Sequence, residues 1–140
     1  MSHDVALTRS KSVAKRGKSL LNRRLVDSRF IAARIRGYST QRMLETEVRF
    51  PVTRDSRTAF DRVVGASRKE PGTQSWLARV AQESPAGTFW DVGANIGVFA
   101  LLAGRLGLHV VAFEPLPSTL RLLQLGVAHN DLRDKVLIVP

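Results

Sequence analysis

Residues 88–140 alternate short β-rich runs with longer helical ones, and this alternation constrains the fold more than any other feature of the chain. Thr88–Val92 is a run of bulky residues closed by Gly93. Ile96–Leu106 carries Val98, Leu101 and Leu102 at helical spacing, and Gly107 is a natural stop just beyond. His109–Phe113 is almost continuously apolar, as expected of a strand buried on both faces of a parallel sheet. Pro117–His129, rich in leucine and with Pro117 in its first turn, is the next helix. Lys135–Val139 is a third strand, ended by Pro140. Strand, helix, strand, helix, strand is the βαβαβ half of a doubly wound α/β fold, and right-handed crossovers give it the strand order 3-2-1.

Upstream the pattern is sparser. Gly37-Tyr38-Ser39-Thr40 reads as a break, and Glu45–Phe50 as a short strand that Pro51 stops. Thr58–Ala66 fits helix or strand, and Gly65, Pro71 and Gly72 punctuate what surrounds it. Thr73–Gln82 is a short helix whose apolar face holds Trp76, Leu77 and Val80, and the loop Ser84-Pro85-Ala86-Gly87 follows. Trp76 and Trp90 are expected in the core, and His109 and His129 are expected to be satisfied structural histidines. The chain divides into a basic arm (1–40), a lead-in strand and helix (41–87) and the α/β segment (88–140).

Charge is concentrated at the start. The 140 residues carry a formal net charge of +10, and residues 1–36 hold ten Lys and Arg against Asp4 and Asp27. Three readings of this arm stay open: a solvated basic helix with Leu20, Leu21, Leu25, Ile31 and Ile35 on one side, contact with an anionic surface, or an organelle transit peptide. No apolar core follows the positive start, so a secretory signal is excluded. An aromatic content of 6%, with no basic stretch interleaved with aromatics, argues against nucleic acid as the main ligand. The absence of cysteine excludes disulfides, cysteine zinc ligands and thiol catalysis; no metal site is expected. No apolar run approaches the roughly 18–20 residues of a membrane span, and a cytoplasmic location is the expectation.

The chemistry-bearing segment is Asp91-Val92-Gly93-Ala94-Asn95-Ile96-Gly97, at the first strand-to-helix turn, where open α/β sheets bind ligands. Backbone amides there are expected to face a crevice, Gly93 to permit the tight turn and Gly97 to let ligand or strand backbone approach. Glu114 ends the second strand 21 residues after Gly93, a position from which a carboxylate can accept hydrogen bonds from both ribose hydroxyls of a nucleoside. Gly93-x-x-x-Gly97 lacks the middle glycine that makes room for a pyrophosphate, which disfavours a nicotinamide oxidoreductase. Asp91 would repel a pyrophosphate and attract an ammonium group. S-adenosylmethionine, a sulfonium with an ammonium and no phosphate, fits this arrangement better.

These residues resemble the FkbM-type S-adenosylmethionine-dependent methyltransferases. The likeness lies in Phe89–Gly97, in Val111-Ala112-Phe113-Glu114-Pro115, in Asn130-Asp131-Leu132, and upstream in Lys69–Leu77; it covers residues 45–140. It implies a Rossmann-like class I methyltransferase fold, in which Asp91, Gly93, Ala94, Asn95 and Gly97 line the methionine end of the cofactor. Glu114 would bind the ribose, with Pro115 and Leu116 near the adenine edge. It also implies O-methylation of a hydroxyl on a small molecule or glycan, for which the enzyme mainly supplies proximity and alignment.

A complete sheet of that family has seven strands, and this sequence stops after the third. The expectation is therefore a C-terminally incomplete domain with its first strand at an open edge, prone to self-association or to capture by a partner that completes the sheet. The competing function is a non-catalytic remnant acting as a basic binding module through residues 1–36.

Overall fold

The computed structural model describes residues 28–53 and 70–140. Residues 1–27 of the basic arm, the ambiguous segment Thr58–Ala66 and Lys69 lie outside the described residues.

Three parallel strands form the heart of the fold: β3 (Thr88–Val92), β4 (His109–Phe113) and β5 (Val136–Val139), with β4 in the middle. Trp90 is in register with Val111, and Val111 with Leu137. Helices α2 (Val98–Arg105) and α3 (Pro117–His129) make the two crossovers, so the expected βαβαβ unit and strand order hold. Helix α1 (Pro71–Glu83) precedes β3 and packs on α2. The chain is thus mixed α/β, with a Rossmann-like βαβαβ unit of parallel strands.

Helix α2 is the centre of the core because its sequence is apolar nearly all round, which only a buried helix tolerates. Ala100, Leu101, Leu102 and Ala103 are all fully buried. The helix starts two residues later than its periodicity suggests, because Gly97 takes a left-handed conformation (φ 87°) and its N–H closes a turn on the Ala94 carbonyl. It ends as expected before Gly107, whose φ of 99° only glycine adopts freely.

The upstream segment differs from its sequence reading. Tyr38-Ser39-Thr40 is not a break but the start of strand β1 (Tyr38–Met43), which pairs antiparallel with β2 (Thr46–Pro51). Pro51 is the last residue of β2 and pairs with Tyr38; lacking an N–H, it is tolerated at a strand end. This hairpin turns Met43, Val48 and Phe50 into the main core. It is fastened to α3 by Asn130, a buried residue whose Oδ1 accepts the Arg49 N–H (2.8 Å) while its Nδ2 donates to the carbonyls of Arg49 (2.6 Å) and Gly126 (2.8 Å). The Arg49 guanidinium donates to the His129 carbonyl at the end of α3 and lies over the Tyr38 ring.

The helical stretch before β1 buries two of its residues, and the face of α1 is rotated from expectation. Residues 28–36 are helical, but Phe30 and Ala33 are buried, against Val52, while Ile31 and Ile35 point to solvent. In α1 the buried residues are Gln74, Leu77 and Ala81; Trp76 is 45% exposed and meets Phe89 edge-on. Trp90 is not a core residue either: it is 65% exposed.

The reason lies in the sheet. Both crossover helices bury the face carrying Val110, Ala112 and Val136, while Trp90, Val92 and Leu137 on the other face are exposed. Strand β4 is accordingly buried on one face only, not on both. Among the described residues, β3 has β4 as its sole partner, so its outer edge is unpaired.

Candidate cofactor site

The candidate site sits at the C-terminal ends of β3 and β4, where residues 93–97 lead into α2. Three of these five residues are left-handed: Gly93 (φ 77°), Asn95 (54°) and Gly97 (87°). The result is a curl folded back onto the neighbouring strand. The N–H groups of Gly93 and Ala94 both donate to the Phe113 carbonyl (3.0 and 2.9 Å), and that of Gly97 to the Ala94 carbonyl (2.8 Å). The Asn95 N–H donates to Glu114 Oε2 (2.7 Å). Amides read from the sequence as facing a crevice are therefore engaged within the fold.

The two glycines serve different ends. A Cβ on Gly93 would meet nothing within 4 Å, so glycine is required there by backbone conformation, and the space beside it is open. A Cβ on Gly97 would run into the Leu123 side chain and press on Leu101, both fully buried. Gly97 thus allows α3 to pack against the start of α2. Ala94 and Ile96 are also buried, while Gly93 and Asn95 stand at the surface.

Glu114 is 7% exposed, and both its carboxylate oxygens are held: Oε2 by the Asn95 N–H and Oε1 by the Leu116 N–H (2.8 Å). Burial pushes its pKa up, but the donors Leu116 N–H, Thr119 and Asn95 N–H together outweigh that and hold the carboxyl below its ordinary value. An ionised carboxylate offers about four lone-pair directions, so acceptor capacity remains for further donors. Pro115 and Leu116 beside it are exposed.

Asp91 lies on the helix-covered face of β3, partly buried. Desolvation raises its pKa, and a hydrogen bond from the Ala100 backbone only partly compensates. The Asp91 carboxylate thereby faces the first turn of α2. Its Oδ2 is buried and has no hydrogen-bond partner among the described residues.

The structure thus brings Asp91, Gly93, Ala94, Asn95, Glu114 and Pro115 to one end of the sheet, with Gly97 just beneath. Sequence reasoning overlooked the Phe113 carbonyl, which no side-chain pattern reports, and Thr119. The position of Thr119, in the first turn of the helix after Glu114, was a usable signal for the latter. A groove lined by Thr88, His109, Lys135 and Leu137 lies at the opposite end of the strands, away from where parallel sheets bind ligands. Among the described residues no group of His, Asp and Glu could hold a metal ion, and no helix is long and apolar enough to cross a membrane.

No protein-family model matches the chain, and no curated protein matches it either. Similar solved structures exist. One is an S-adenosylmethionine-dependent methyltransferase from Agrobacterium tumefaciens, with 14% identity and a TM-score of 0.49 over 74% of this chain and 32% of that one. Another is the T. thermophilus 16S rRNA N2 G1207 methyltransferase RsmC in complex with AdoMet and guanosine, with 20% identity and a TM-score of 0.47 over 74% and 32%. A third is P. horikoshii TYW2 in complex with MeSAdo, with 20% identity and a TM-score of 0.46 over 74% and 35%. The chain spans about a third of the length of each.

Proposed function

We propose that this chain is the cofactor-holding part of an S-adenosylmethionine-dependent methyltransferase of the FkbM type. The observation that carries the reading is how the glycine turn spends its amides. A dinucleotide site needs free N–H groups to cradle a pyrophosphate. Here the N–H groups of Gly93, Ala94, Asn95 and Gly97 all have partners inside the fold. Beside them stand acceptor capacity on Glu114 and the negative charge of Asp91, an acceptor set suited to a diol and an ammonium.

When bound, the cofactor supplies a methyl group on a sulfonium, open to in-line displacement by a hydroxyl oxygen. The chain's own part is holding and orienting. Glu114, kept ionised by its donors, accepts from the ribose hydroxyls. Pro115 and Leu116 present exposed apolar surface for the adenine edge. The open space beside Gly93 admits the methionine end, and Asp91 favours its ammonium electrostatically. The acceptor in this reading is a hydroxyl on a small molecule or glycan, supported by the resemblance of Phe89–Gly97 and Val111–Pro115 to that family.

Calorimetric titration of the purified chain with S-adenosylhomocysteine, with NADH alongside, tests the reading. Saturable binding of the first and none of the second is expected, lost in Glu114→Ala. Binding of NADH alone would overturn it in favour of an oxidoreductase. A folded chain that binds neither would support the alternative of a non-catalytic module acting through residues 1–36, where Arg29, Arg34 and Arg36 are exposed on the helical stretch. That module would bind an anionic surface with an affinity falling steeply as salt rises.

A further inference from the structure

Glu114 does two things that the sequence reading treats as one. It is placed to meet a ligand's hydroxyls, and it also holds the backbone on both sides of the site. Its two oxygens reach across 19 residues to the Asn95 N–H and two residues forward to the Leu116 N–H. Asn95 is left-handed at φ 54°, a conformation asparagine tolerates better than most non-glycine residues, and its own side chain is at the surface. Its backbone N–H hydrogen bond to Glu114 ties this left-handed residue to the end of β4.

We infer that Glu114 is a latch that couples the shape of the glycine turn to the site for a ligand's vicinal diol, so that neither is organised without the other. Two N–H donors fix the plane of the carboxylate, and a fixed carboxylate turns its unused lone pairs toward one place. A diol binding there is received by a group already oriented, which saves the ordering cost of a freely rotating glutamate. Conversely, any change that frees the carboxylate also frees Asn95, and with it the open space beside Gly93. Glu114 is in this sense a positioning residue for the turn in addition to a ligand contact. The ligand half of the inference rests on the cofactor reading proposed above; the latch half does not.

Two variants separate these roles. Leu116→Pro deletes one donor to Glu114 while leaving the carboxylate in place, and the backbone there (φ −83°, ψ 115°) already suits proline. Leu116→Ala keeps the N–H and removes only the side chain. Amide hydrogen exchange of the ligand-free chain and titration with S-adenosylhomocysteine are the two readouts, with Glu114→Gln as a third variant that keeps the shape but loses an acceptor. Loss of one charge-assisted hydrogen bond corresponds to a change of about tenfold or more.

The expected result is faster exchange at Asn95 by about that factor in Leu116→Pro and Glu114→Gln, unchanged exchange in Leu116→Ala, and an affinity loss of similar size in the first two. Unchanged Asn95 exchange in both Leu116→Pro and Glu114→Ala, which keeps no acceptor at all, would overturn the latch. Faster exchange with unchanged affinity would overturn the coupling. If the wild-type chain shows the exchange pattern but does not bind S-adenosylhomocysteine, the latch stands and the cofactor reading falls.

Discussion

Single residues in the turn carry unequal burdens, and the two glycines make the contrast measurable. Gly93→Ala pays for a left-handed backbone alone, about 1–2 kcal/mol, since its Cβ would enter open space. Gly97→Ala bears the same backbone cost and also forces Leu123 and Leu101 out of a close-packed core, for a total of about 2–5 kcal/mol. Urea unfolding of both variants should show that order; equal losses would mean that α3 does not pack on the start of α2 as described. The two carboxylates oppose each other in pH dependence. Glu114 is held below its ordinary pKa, so its stabilisation is present above the usual carboxylate range and fades as pH falls through the lowered value. Asp91 is raised, so its ionisation costs stability as pH climbs from the usual range through the raised value. In unfolding curves taken across the acid range, Glu114→Gln should remove the gain on raising pH, whereas Asp91→Asn should remove the loss.

At the scale of elements, Asn130 makes a joint out of two pieces far apart in sequence. Its amide takes the place of a third strand beside Arg49, satisfying that residue's N–H and C=O, while it also closes the end of α3 at Gly126. Asn130→Ala leaves those groups short of partners and should cost about 2–3 kcal/mol. Amide exchange should quicken along β2 ahead of the parallel sheet; uniform quickening would mean that the hairpin has no separate stability. Legibility in the sequence follows the same division. The βαβαβ unit was readable because α2, α3 and the strands each carry their own period, and Gly107 and Pro117 mark real boundaries. Of the hairpin only β2 was, as Glu45–Phe50, because Tyr38–Met43 offers mainly polar residues and becomes a strand only by pairing with β2. The face of α1 is not legible from side-chain size, because small or polar residues such as Gln74 and Ala81 fit the close contacts beside Leu77 and leave Trp76 half outside. In the site, side-chain positions were legible from spacing, whereas the destination of the turn's amides depended on the Phe113 carbonyl, which spacing does not encode.

For the molecule as a whole, two opposing terms decide how it behaves in solution. Among the described residues, the sheet face without a crossover helix displays Trp90, Val92 and Leu137, continuous with the unpaired edge of β3. Apolar surface beside open N–H and C=O groups favours pairing with another copy. Against this stands the formal charge of +10, which repels like molecules. Only the second term is screened by salt: going from about 0.01 M to about 1 M shortens the Debye length from about 30 Å to about 3 Å. Self-association should therefore grow with ionic strength, the reverse of what an ion-paired complex does. Sedimentation velocity across that range should show it for the wild type and much less for Trp90→Lys and Val92→Lys. Val92 is exposed, so its substitution should leave the monomer's stability nearly unchanged, whereas Trp90→Lys also gives up a ring contact with Phe113. Association that weakens with salt, or that persists in both lysine variants, would place the contact elsewhere and leave the sheet face free.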